Sequence, residues 1–124
     1  MRFSGKELSA IVKMAISMAA ADGKYAEEEK NAIFFELATF GVTKTQFVQI
    51  LTLAQDMKAS EAFATIACMD DEQKKYVTGY LAVIMVADGD IDDSEVKMWQ
   101  LISLLAQLPT MSINEALDFW RSHL

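Results

Sequence analysis

Two segments of the chain match each other at an offset of 66 residues, and this repeat constrains the fold more than any other feature. The first acidic segment is residues 21–29, A-D-G-K-Y-A-E-E-E, and the second acidic segment is residues 87–95, A-D-G-D-I-D-D-S-E. Each segment lies between two stretches whose apolar residues recur at helical spacing. The sequence therefore predicts two units of helix, acidic turn and helix, related by a pseudo-twofold axis.

The rest of the chain also has the pattern of helices. Only five glycines and one proline interrupt 124 residues, and no stretch alternates apolar and polar residues over the length of a strand. A capping-box pair, which places Glu or Gln three positions after a small polar residue, marks five helix starts: Ser4, Thr43, Asp70, Asp92 and Ser112. Two more helices are predicted to begin near Ala26 and Ser60. We expect an all-α bundle of about seven helices that forms a single domain over residues 1–124.

Composition argues against several classes of protein. A net charge of −7 repels the phosphates of nucleic acid. The single cysteine, Cys68, allows no intramolecular disulfide, and its position on a short apolar helix predicts that it is buried. The longest uncharged apolar run, residues 80–87, is too short to span a bilayer, and no signal-peptide pattern opens the chain. We therefore expect a cytoplasmic protein that binds cations or basic partners.

Residues for the common kinds of catalysis are scarce. His123 is the sole histidine and is predicted to lie on the surface near the last residue. A Ser-His-Asp triad and a histidine-rich zinc site are therefore not supported, and no glycine-rich phosphate-binding motif is present. A hydrolase that activates water with a carboxylate-bound metal would need a neighbouring base or nucleophile, and none can be identified. We expect no enzyme activity and no catalytic residue.

Twelve of the eighteen acidic residues lie in three short windows, residues 22–29, 70–72 and 88–95. Acids in the first turn of a helix, such as Glu27 and Asp93, are favoured by the helix dipole and need no ligand to explain them. Asp22 and Asp88 lie instead at the predicted ends of helices, where the dipole disfavours negative charge. Glu29 follows an alanine by three residues, and alanine cannot form a capping box. Binding of a metal or ligand and ordinary capping with solubility are both retained as explanations of the repeated acids.

An EF-hand does not fit the repeat. If Gly89 is placed at the glycine of a calcium-binding loop, Glu95 takes the twelfth position, but Ile84 and Val86 take the first and third and cannot bind a cation. Each segment offers about two or three oxygens, fewer than the six to eight that calcium prefers, so two half-sites would have to form one site. Carboxylates favour Ca²⁺ or Mg²⁺ over Zn²⁺. The candidate metal ligands are Asp22, Glu29, Asp88, Asp90, Asp92 and Glu95.

The two copies of A-D-G, each with a glutamate seven residues after the aspartate and each between apolar helices, resemble the TerB-like family of bacterial tellurite-resistance proteins. The N-terminal domain of membrane-anchored DnaJ-like co-chaperones is similar. The resemblance covers residues 11–108 and implies an all-helical bundle with internal twofold symmetry. It also implies that Asp22, Glu29, Asp88 and Glu95 occupy the family's repeated acidic positions, where a divalent cation or an acidic interaction surface is expected.

The two units are not identical, and two functions stay open. Lys24 replaces the equivalent Asp90, and Ala26 replaces the equivalent Asp92, which makes the second unit the stronger half-site. The first hypothesis is a non-enzymatic stress or tellurite-resistance module that binds a divalent cation through its acidic turns. The alternative is a metal-free interaction domain whose acidic face recruits another protein or a membrane-associated complex. Either function is compatible with a homo-oligomer.

Overall fold

The structure is a computed structural model that describes residues 3–21, 23, 27–87 and 89–123. Within these ranges the chain forms seven α-helices and no strand. The helices are α1 Gly5–Ala19, α2 Glu27–Ala38, α3 Lys44–Asp56, α4 Ala59–Ala67, α5 Asp71–Met85, α6 Asp93–Leu105 and α7 Ile113–Ser122. The prediction of an all-α bundle of about seven helices is confirmed.

Most helix starts lie where the sequence predicts them. Complete capping boxes form at Ser4, Thr43, Asp70 and Ser112. The predicted capping box at the start of α6 is wrong, because Asp92 accepts a hydrogen bond from the Ser94 N–H at 2.8 Å and the Glu95 side chain is buried. Helix α4 begins at Ala59, one residue before the predicted Ser60, and has no side-chain cap.

Helices α1 and α5 form the centre of the bundle. Both carry large side chains that are almost completely buried, including Ile11, Met14 and Met18 on α1 and Leu81 and Ile84 on α5. Helix α1 packs against α3 as α5 packs against α7, and α2 and α6 each contact both central helices. These contacts have the pairing expected of two related units, although α4 packs against α1 and α6 without a counterpart. The internal duplication itself remains a prediction from the sequence.

Cys68 is exposed, which corrects the prediction that it is buried. It is the C-cap residue of α4, whose inward side chains are Ala62 and Ile66. Residues four apart share one face of a helix, whereas Cys68 lies two positions after Ile66 and therefore projects from nearly the opposite face. His123 is exposed as predicted, and its ring stacks on Phe119 with 4.1 Å between ring centroids.

Gly79 lies where α5 and α7 come into close contact. A Cβ atom at this position would lie 2.9 Å from the Ala116 carbonyl oxygen and 3.0 Å from the Trp120 Cβ. We expect Gly79→Ala to lower the free energy of unfolding by about 1 kcal/mol, because about 1–3 kcal/mol of overpacking outweighs about 1 kcal/mol of gained helix propensity. Urea unfolding measures the change.

Gly5→Ala is the control for this substitution. Gly5 is also helical, but a Cβ there would have no neighbouring atom within 4 Å. The stability of the Gly5→Ala variant should therefore not fall. If the urea midpoint of Gly79→Ala equals or exceeds that of the wild type, α7 can move away from α5 without loss of stability.

Candidate functional site

The described parts of the two acidic segments turn in the same way. The Gly23 N–H donates to the Ala20 carbonyl at 3.0 Å, and the Gly89 N–H donates to the Val86 carbonyl at 3.1 Å. Both glycines have left-handed backbone angles, with φ of +78° and +87°. Other residues rarely adopt this conformation, so the backbone accounts for the repeated glycine. It does not account for the repeated acids.

Glu29 and Glu95 are the two repeated glutamates, and both are buried, with 1% of each residue exposed. They hold equivalent positions in the first turns of α2 and α6. Glu27, in the same turn as Glu29, has 75% of its side chain exposed. The helix dipole explains a solvated acid such as Glu27, but burying a carboxylate has a desolvation cost of several kcal/mol that must be offset by bound partners.

The other predicted ligands are placed differently. Asp22 and Asp88 lie outside the described residues. Asp90 is exposed, whereas Asp92 is half-buried and uses one carboxylate oxygen to cap α6. Among the residues that the structure describes, no three side chains of His, Cys, Asp or Glu are grouped to hold a metal ion. Of the four candidates that the structure describes, the repeated glutamates are therefore the two that are buried.

Two hydrogen bonds join the glutamate-bearing helices to α5. The Tyr80 hydroxyl donates to the carbonyl of Ile33, which lies about one turn beyond Glu29 on α2. Trp99 is equivalent to Ile33 in the second unit, and its indole N–H donates to the Thr78 carbonyl at 3.4 Å. The sequence does not specify these two bonds, although an aromatic side chain with a polar tip in an apolar stripe indicates a buried hydrogen bond. Through the Ile33 backbone and the Trp99 side chain, they join both glutamate-bearing helices to one central helix.

The fold and site define a small all-helical domain whose candidate ligands are carboxylates. The family model for tellurite resistance protein TerB matches residues 8–117. The chain therefore belongs to the TerB family, which is not a known enzyme family.

A solved structure with the same fold is that of a protein of unknown function from Porphyromonas gingivalis W83. It is 49% identical to this chain, with a TM-score of 0.88, and the match covers 98% of this chain and 92% of that one. No curated protein matches the chain. In the described part of the chain, no helix combines the length and apolar character needed to cross a membrane.

Proposed function

We propose that this TerB family member is a non-enzymatic module that binds a divalent cation through the carboxylates of its two acidic segments. The observation that carries the proposal is the burial of Glu29 and Glu95, with 1% of each residue exposed. Acids kept only for solubility or for the helix dipole would remain in water, as Glu27 does. A bound cation offsets the desolvation of a carboxylate, and this gives the fold a reason to bury both glutamates.

The donor chemistry favours Ca²⁺ or Mg²⁺. Asp22 and Asp88 precede the glycines of the two turns in sequence and complete the proposed ligand set with Glu29 and Glu95. Four carboxylate groups can supply about six to eight oxygens, the number that Ca²⁺ takes. Zn²⁺ prefers sulfur or nitrogen, and the chain's one cysteine is exposed on α4. The ion would join the two units and fix the acidic surface that a partner in a stress or tellurite response recognises.

Calorimetric titration of chelator-treated protein with Ca²⁺, Mg²⁺, Mn²⁺ and Zn²⁺ tests the proposal. We expect the wild-type protein to bind Ca²⁺ or Mg²⁺ and the variant Asp88→Asn plus Glu95→Gln to bind at least about tenfold more weakly, since ligating charge is lost without loss of volume. Asp71→Asn plus Glu72→Gln is the matched control, because it removes the same charge from two exposed acids at the start of α5.

The outcomes separate the two functions. Loss of binding in the Asp88 and Glu95 variant but not in the control supports the cation site. Equal binding by both variants, or no binding by the wild type, would eliminate it and leave the metal-free interaction domain, whose acidic face would recruit a basic partner by charge alone.

A further inference from the structure

Helices α2 and α6 are held to the core in part by a charged residue. In the part of the chain that the structure describes, the buried charged side chains are Glu29 on α2 and Glu95 on α6. Each of these helices buries only two other residues, and all four are apolar: Ile33, Leu37, Trp99 and Ile102. The central helices α1 and α5 bury nine and eight residues, none of them charged. One of the three inward residues of α2, and one of the three of α6, is therefore a carboxylate.

Three side-chain hydrogen bonds fasten the later turns of α2 and α6. The carbonyl of Ile33 accepts from the Tyr80 hydroxyl at 2.9 Å. The carboxylate of Glu36 accepts from the Trp120 indole at 3.1 Å. On α6 the indole of Trp99 donates to a carbonyl of α5 at 3.4 Å. All three bonds lie at least one turn beyond the repeated glutamate, so in the first turn of each helix the glutamate is the buried residue.

A glycine with left-handed backbone angles precedes each first turn. Gly23 and Gly89 lie four residues before the starts of α2 and α6. Hinges are commonly a few residues at the end of an element that absorb a change in backbone angles, and glycine does so with little steric cost. Each first turn therefore lies between a permissive backbone position and a later turn that is bonded to the core.

The docking of each first turn depends on what surrounds one carboxylate. A carboxylate out of water must be offset by bound partners, and a divalent cation is the strongest local charge that can do so. We propose that cation binding orders the first turns of α2 and α6, which dock against the core when the ion is bound and open to water when it is removed. This inference rests on the proposed function and adds regulation to it, since the ion then determines whether the two acidic segments form one ordered surface.

Amide hydrogen exchange followed by NMR, in chelator and with Ca²⁺ or Mg²⁺, tests the ordering. The amides of residues 31–33 and 97–99 report on it, because they donate to carbonyls of the two first turns. An ion present at a hundred times its dissociation constant should slow their exchange about a hundredfold, since each opening must release the ion. Helix α3 is the matched control. It buries only two residues, Ile50 and Ala54, and neither is charged, so local opening of its first turn releases no ion and exchange there should not change.

Two variants test whether the buried carboxylates carry the effect. Glu29→Gln plus Glu95→Gln should exchange no faster than the wild type in chelator, because a neutral amide costs less to bury, and should not respond to the ion. Glu27→Gln plus Asp93→Asn removes the same charge from exposed positions of the same two turns and should respond as the wild type does.

The outcomes separate this ordering from the proposed function. Calorimetric binding of the ion without slower exchange in the two first turns would overturn the ordering and leave the cation site intact. Equal slowing in all seven helices would also overturn it, because the domain would then open only as one cooperative unit. Absence of calorimetric binding would overturn the proposed function and the ordering with it.

Discussion

Trp120→Ala is expected to lower the free energy of unfolding by about 3–5 kcal/mol, a large share of the roughly 5–15 kcal/mol that stabilises a domain of this kind. The indole is 2% exposed, and its ring centroid lies 5.5 Å from that of Phe40 and 5.7 Å from that of Tyr80. Its N–H donates to the Glu36 carboxylate on α2 at 3.1 Å. Alanine would leave a cavity where α7 joins α2 and α5, and the surrounding rings can fill it only in part.

Urea unfolding followed by circular dichroism measures this loss. Phe119→Ala is the matched control, because Phe119 is the preceding residue of α7 and only half-buried, so its removal should reduce stability by less than half as much. Glu36→Gln keeps an acceptor for the indole and should be nearly neutral. An equal loss for the two aromatic substitutions would mean that the surface edge of α7, rather than the buried indole, holds the helix in place.

Much of the fold follows from local patterns, and the main local error shows where these patterns stop. Four capping boxes form where the sequence predicts them, because their side chains reach only neighbouring backbone groups. In the fifth pattern, Asp92 with Glu95, the glutamate also lies three residues after the capping residue. There the glutamate can return to the cap or turn inward, and the packing of α6 on α1 and α5 selects the inward position.

The surface of α6 could not be predicted for a similar reason. Trp99, Leu101, Ile102, Leu104 and Leu105 are all apolar, and their positions in the sequence fit one helix. Apolar residues occur around most of its circumference, so periodicity alone does not select the buried side. In the structure Trp99 and Ile102 are buried and the three leucines are exposed.

The candidate site is predictable in its chemistry but not in its burial. The 66-residue repeat identifies Glu29 and Glu95 as equivalent acids, and the alanine three residues before Glu29 excludes a capping box there. For Glu95 a capping box fitted equally well, so only tertiary packing distinguishes it from a solvated acid. The sequence indicates the type of ligand group, whereas tertiary packing determines which carboxylates are buried.

A saturating divalent cation is expected to raise the midpoint of thermal unfolding of the wild-type protein by about 10 °C. An ion that binds only the native state adds about 2.7 kcal/mol of stability at a hundred times its dissociation constant. A chain of 124 residues unfolds with an entropy that converts 1 kcal/mol into about 4 °C. Glu29→Gln plus Glu95→Gln should abolish the shift, because both substitutions keep side-chain volume and remove a ligating charge.

The control for this prediction is Glu27→Gln plus Asp93→Asn, which removes the same charge from equivalent, exposed positions in the first turns of the same two helices. If the cation acts through the buried glutamates, this control retains the full shift. If the shift survives in the variant of the two buried glutamates but disappears in the variant of the two exposed acids, the ion binds at the surface. Such an ion would also be displaced by moderate salt, because exposed charges are screened within about 10 Å at 0.1 M ionic strength. Loss of the thermal shift only in the variant of the buried glutamates therefore distinguishes a specific site from the general attraction of cations to an acidic protein.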